Sequence, residues 1–136
     1  MTNATRSLAL LTVLALAGCA APAGVEQARV TLDQHLPPAN GAQLETKVVE
    51  VSYGPGGSSA PHSHSCAVVG HVTEGRLRTQ STGQPSRVYH AGESFYEAPG
   101  AHHRISRNAS RTRPAKLLAV FVKDSGKAPL VLPDSR

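Results

Sequence analysis

The chain reads as an all-β domain, a barrel or sandwich of roughly seven or eight short strands. Two observations carry this. From Leu44 onward the sequence runs in short, Val-rich extended segments parted by Gly, Pro and Ser turns. Beyond the N-terminal stretch, no window of about 11 residues shows helical periodicity. The core must also be aliphatic, because the chain has 2 Phe, 3 Tyr and no Trp.

The strands are expected in order. Leu44 to Tyr53 mixes apolar and polar positions. Ala67 to Thr73 is apolar and β-branched, and the Glu74-Gly75 turn leads into Arg76 to Gln80. Arg87 to His90 precedes the Ala91-Gly92 turn and Glu93 to Glu97. His102 to Arg107 and Lys116 to Lys123 complete the set. The domain is therefore set at 42–124, followed by a tail at 125–136. That tail contains Pro129 and Pro133 and suits an irregular or edge segment.

The N-terminus has a different texture. Leu8 to Leu16 is apolar but too short to span a bilayer comfortably. It ends in Leu16-Ala17-Gly18-Cys19, which resembles the bacterial lipobox. The resemblance implies a cleaved signal peptide at 1–18 and acylation of Cys19, an anchor of several chains at about 0.8 kcal/mol per buried methylene. Ala20 in place of Asp implies the outer membrane, so the expected location is the cell envelope, on the periplasmic face. Residues 19–41, rich in Ala, Pro and Gln, read as a flexible tether with an ordered piece at Val30-Thr31-Leu32. With Cys19 lipidated, Cys66 has no disulfide partner. It reads as a small buried hydrophobe, with a metal-contacting or redox role as the alternative.

The chemistry is concentrated in His62-Ser63-His64 and Pro99-Gly100-Ala101-His102-His103. A His-x-His pair on an extended segment puts both imidazoles on one face, and a third histidine from a neighbouring strand can close a facial metal site. Of the adjacent pair His102 and His103, only one can face inward. Ile105 shares the face of His103, while Arg104 and Ser106 share that of His102, so His103 is expected inside. The same parity puts Cys66 and Val68 on the face of His62 and His64, provided no bend intervenes.

Together these residues resemble the two motifs of the cupin superfamily. The first motif is a glycine, five residues, His-x-His, three or four residues, Glu, six residues and Gly; Gly56, His62, His64 and Gly75 match it. The second is matched by Gly92, Pro99, Gly100 and His103, with Ala98 in the usual proline place and Asn108 one residue late. The resemblance implies a double-stranded β-helix barrel over about 42–124. It also implies one divalent transition metal (Fe, Mn, Ni, Cu or Zn) held by His62, His64 and His103. The chain departs from the family at the carboxylate: Val68 stands where the motif places Glu. Glu97, just before the third histidine, is then a second-sphere acid or a substitute ligand.

Three neutral imidazoles leave coordination positions open, as a catalytic centre requires. The expected function is a metal-binding cupin lipoprotein, a dioxygenase or related oxidoreductase acting on a small molecule. Glu97, His71 and His102 are the candidate proton carriers. The alternatives are a non-catalytic small-ligand receptor and a metal-assisted isomerase or hydrolase. His71 and His90 otherwise read as pocket-wall or surface residues, and His35 as part of the tether. The net charge of +5 comes with a basic run from Arg104 to Lys116 that reads as a solvated strand and loop. The few aromatics argue against nucleic acid as a partner. A free sheet edge makes a homodimer plausible.

Overall fold

The computed structural model describes residues 29–34, 36–37, 43–125 and 129–134. The expected signal peptide, Cys19, much of the tether and His35 lie outside them. Among the described residues nine strands form: β1 (Leu44–Tyr53), β2 (His62–Ser63), β3 (Ala67–Glu74), β4 (Arg76–Ser81), β5 (Arg87–His90), β6 (Ser94–Glu97), β7 (His102–Asn108), β8 (Ala115–Asp124) and β9 (Leu132–Pro133). No helix occurs among the described residues. The all-β expectation holds, in two antiparallel sheets ordered β1-β8-β3-β6 and β5-β4-β7-β2-β9.

Alternation builds the core. Along β8, Ala115, Leu117, Ala119, Phe121 and Lys123 are buried, and the residues between them are half-buried. On β3, Val68, Gly70 and Val72 face inward. Val72 and Leu77 are the fully buried pair on either side of the β3–β4 turn, each burial being worth about 1.5–3 kcal/mol. Gly75 makes that turn with φ +71, and a Cβ there would lie 2.4 Å from the Pro114 carbonyl oxygen. A glycine is required on both grounds.

Two features place the site. The chain bends at Ser65 and Cys66 as it passes from β2 in one sheet to β3 in the other. Further on, Pro99 and Gly100 form a tight turn closed by Ala101 N–H donating to the Ala98 carbonyl at 3.0 Å, with Gly100 at φ +72. That is the signature of a type II turn. Gly100 N–H also donates to the His64 carbonyl at 2.7 Å, which ties the start of β7 to the His-x-His segment. Asn108 acts as a lock behind the site. Its amide donates to the carbonyls of Gly54 and Arg113, and its oxygen accepts from Ser110 N–H.

Within 19–41, Arg29 and Thr31 meet the turn before β6 and its first residue. Arg29 donates to the Gly92 carbonyl at 2.8 Å, and the Thr31 and Ser94 hydroxyls are 2.9 Å apart. At the other end, β9 adds to β2 antiparallel, with His62 opposite Pro133 and Ser63 opposite Leu132.

Candidate metal centre

His62, His64 and His103 come together, each offering a ring nitrogen within 4.8 Å of the others. β2 supplies His62, the chain just past it His64, and β7 supplies His103, directly opposite His62 in register. His103 is the inward one of the pair, 3% exposed, while His102 is half-buried. The parity behind that expectation breaks further along β7, where the ladder to β4 shifts register between Gln80 and Ser81, and Ser106, not Ile105, lines the cavity with His103.

Two of the rings are held by backbone carbonyls. His62 Nδ1 lies 2.8 Å from the Ala60 oxygen, and His64 Nδ1 lies 2.6 Å from the Leu130 oxygen. A carbonyl only accepts, so both Nδ1 atoms carry the proton and both Nε2 atoms of the neutral rings present bare lone pairs. These two Nε2 atoms face each other at 3.2 Å. Two acceptors at that distance call for an electrophile between them. Burial, with His64 and His103 as neighbours, holds the His62 pKa below the ordinary imidazole range, against the opposing pull of the Ala60 carbonyl and Glu97. This favours the neutral, metal-binding form.

The third ring is held by side chains. His103 Nε2 is 3.1 Å from the Thr79 hydroxyl. Its Nδ1 comes within 3.0 Å of Glu97 Oε1, and Glu97 Oε2 is 3.6 Å from His64 Nε2. Glu97 is 4% exposed. The His103–Glu97 approach misses hydrogen-bond alignment. His103 Nδ1 and Glu97 Oε2 are accordingly the buried side-chain atoms without a partner among the described residues. Native interiors leave few such atoms, and a bound ion explains them. The residues present therefore fit a transition metal of the imidazole-binding kind.

The other candidates are placed elsewhere. His71 lies on β3 between inward-facing Gly70 and Val72, so alternation turns it outward, where its Nδ1 meets the Ser94 hydroxyl at 2.8 Å. His102 pairs outside the cluster with Asp134, at 2.5 Å. Neither lines the cavity beside the three histidines. Cys66 is buried in the core and also does not line it, because the bend at Ser65–Cys66 breaks the parity expected from His64. Burial pushes its thiol pKa up, with Lys123 opposing, as suits an inert buried cysteine.

The cavity measures about 350 Å³ and is walled largely by apolar side chains, among them Val49, Val51, Val68, Leu117, Phe121 and Val131. A chain of hydroxyls runs along it: Tyr53 Oη lies 2.8 Å from Ser59 Oγ and 3.0 Å from Ser106 Oγ. Leu130, Thr79 and this hydroxyl chain are the functional residues that sequence reasoning missed. Leu130 acts through its backbone, and Thr79 and the three hydroxyls are common strand and loop residues, so no sequence signal marked any of them.

The fold and the site now define the class. The cupin domain model matches residues 49–121, and the chain belongs to that family. No curated protein matches it in sequence. Among solved structures, the one for the DMSP lyases RdDddP and RnDddQII is similar at TM-score 0.57 and 19% identity, covering 66% of this chain and 44% of that one. An oxalate oxidase in complex with glycolate is similar at TM-score 0.55 and 22% identity, covering 79% of this chain and 62% of that one. An uncharacterized double-stranded β-helix protein from Klebsiella pneumoniae is similar at TM-score 0.54 and 21% identity, covering 80% of this chain and all of that one. The chain thus spans less than two thirds of the lyase and the oxidase. At these identities the likeness is one of fold.

Proposed function

We propose that this chain is a metal-dependent oxidoreductase, of dioxygenase type, acting on a small uncharged molecule at a centre of His62, His64 and His103. The observation that carries the reading is the pair of locked tautomers: two backbone carbonyls hold Nδ1 of His62 and His64, so both Nε2 lone pairs converge at 3.2 Å. A bound transition-metal ion supplies Lewis acidity and, for the redox-active metals, one-electron chemistry. The chain's own residues do the rest. Val49, Val51, Leu117 and Phe121 bind apolar surface and exclude water. Tyr53, Ser59 and Ser106 offer hydroxyls to one polar group of the ligand. Among the described residues no Lys or Arg lines the cavity, so a neutral substrate suits it better than a small dicarboxylate.

A non-catalytic, metal-holding receptor is the second reading. It is favoured by the scarcity of ionisable groups in the cavity beyond the three histidines, Glu97 and Tyr53. Lipid anchoring at Cys19 in the envelope is part of the proposal and rests on Leu16-Ala17-Gly18-Cys19. The exposed apolar Val48 on edge strand β1 supports pairing with a second copy.

Elemental analysis of the purified full-length chain tests the centre, beside a His62→Ala/His64→Ala control. Near-stoichiometric iron, copper, manganese or nickel, lost in the control, is the expected result and justifies an oxygen-consumption screen on neutral small molecules. Zinc alone would move the search to binding, hydrolysis or isomerisation. No metal after reconstitution with each ion would sink the enzyme reading.

A further inference from the structure

We infer that Glu97 is a fourth, anionic donor of this centre, contributed by the strand opposite the position where the family motif carries its carboxylate. The inference rests on the three-histidine reading above. Val68 holds the motif position, and in the β3–β6 ladder Val68 and Glu97 are direct partners. Directly opposed residues of an antiparallel pair carry their Cβ atoms only about 4.5–5.5 Å apart on one face. Both side chains line the cavity. A carboxylate sent from β6 therefore reaches the space that one sent from β3 would fill.

The distances agree. Donors adjacent on one ion, with bonds of about 2.0–2.2 Å, are separated by about 3.0–3.5 Å. The observed contacts are 3.2 Å between His62 Nε2 and His64 Nε2, 3.0 Å between His103 Nδ1 and Glu97 Oε1, and 3.6 Å between His64 Nε2 and Glu97 Oε2. All four groups thus crowd electron-rich atoms into one place. A proton shared by His103 and Glu97 would relieve that contact only, and the two lie off hydrogen-bond line. It would leave the two Nε2 lone pairs facing each other. One cation meeting all four relieves every contact at once. It also neutralises a carboxylate that is 4% exposed and, among the described residues, has no Lys or Arg beside it on the cavity wall, an arrangement costly without a counter-charge.

The assignment bears on the reaction. Among the described residues Glu97 is the one carboxylate lining this cavity. As a donor to the ion it is not a free base. Hydrolysis or isomerisation by a carboxylate base then has no base to use, and the Tyr53–Ser59–Ser106 hydroxyls are left as the wall's proton-bearing groups.

Cobalt(II) tests this without any substrate. The full-length chain, stripped with a chelator, is titrated with Co²⁺ against a chromogenic competitor, and the visible absorption bands of the bound ion are recorded. The set is the parent, Glu97→Gln, Val68→Glu/Glu97→Val and His62→Ala/His64→Ala. Glu97→Gln is expected to weaken Co²⁺ binding by at least about 100-fold, the upper end of what losing an outer-sphere partner costs, and to shift the bands. Moving the carboxylate in Val68→Glu/Glu97→Val is expected to bring both back toward the parent. If circular dichroism shows that the relocated variant does not fold, Glu97→Gln decides alone. Parent-like bands in Glu97→Gln, whatever its affinity, would make Glu97 a positioning residue of His103 and overturn the inference while the histidine centre stands. If the parent binds no Co²⁺, or the double-alanine variant binds like the parent, the histidine centre fails and takes the inference with it.

Discussion

The two walls of the candidate metal centre are built by different means. On one side, His62 and His64 are oriented by main-chain carbonyls, Ala60 from the same loop and Leu130 from the C-terminal tail. Across from them, His103 and Glu97 sit deeper and are held by side chains and by β3–β6 and β4–β7 pairing. The first wall has its outer nitrogens satisfied without any ion. The second contains His103 Nδ1 and Glu97 Oε2, both buried and unpartnered. Carbonyl anchors set a tautomer whether or not metal is bound. The unpartnered pair is stabilised only when something positive arrives. On the proposed reading, one wall is preorganised and the other is completed by the ion.

The largest expected effect breaks the deeper wall through its backbone. Gly70 pairs with Phe95 across β3–β6, two residues from the Val68–Glu97 pair, and a Cβ on it would lie 2.3 Å from Phe95 Cζ. Phe95 is itself packed on Tyr89. Gly70→Ala is expected to destabilise the fold by about 1–3 kcal/mol as the ring and β6 are pushed away, read as a lower denaturant midpoint. A midpoint equal to the parent's would mean the ring swings freely into the cavity and the wall is softer than its pairing suggests.

The next variant breaks the other wall. Deleting 129–136 removes the Leu130 carbonyl, the edge strand β9 and the Leu130 side chain packed on the margin of the core, while every buried residue of the core cluster stays. Metal affinity is expected to fall about 10- to 100-fold, the usual cost of losing an orienting partner, with a small change in thermal stability. Affinity equal to that of the full chain would show that the tail merely covers the cavity.

The smallest effect sharpens the comparison in the metal-free protein. Because the folded-state pKa of His62 is lowered by burial, the unfolded chain binds more protons than the folded one as pH falls below about 6.5. The stability tied to neutral His62 is therefore complete above that pH and lost as pH falls toward the depressed value. Thermal unfolding of the stripped protein from pH 7.5 to 5 should show the decline, and His62→Gln should flatten it. An identical slope in the variant would assign the decline to other groups.

Much of this was legible in the residues. The long strands β1, β3, β7 and β8 follow from Val-rich runs bounded by glycine and proline turns. His103 is the inward one of the histidine pair, as expected, but strict period 2 does not carry it. The β4–β7 ladder slips between Gln80 and Ser81, and Ser106, not Ile105, joins the ring on the cavity wall. The motif spacing around Gly56, Gly75, Gly92 and Gly100 marked the domain and its three histidines. Local chemistry suffices for the strands and the motifs, since turns and alternation are properties of neighbouring residues.

Long-range pairing settled the rest. That Val68 stands opposite Glu97 is a matter of register between strands joined only through two others. That Leu130 reaches His64 depends on where the tail crosses β2. The outward turn of His71 and the parity break at Cys66 depend on which sheet face each strand buries and where the chain bends between sheets. No local pattern encodes such choices, because they are made by the packing of two sheets against each other. Three histidines and a candidate acid were thus visible in one dimension, and the placing of that carboxylate between His64 and His103 only in three.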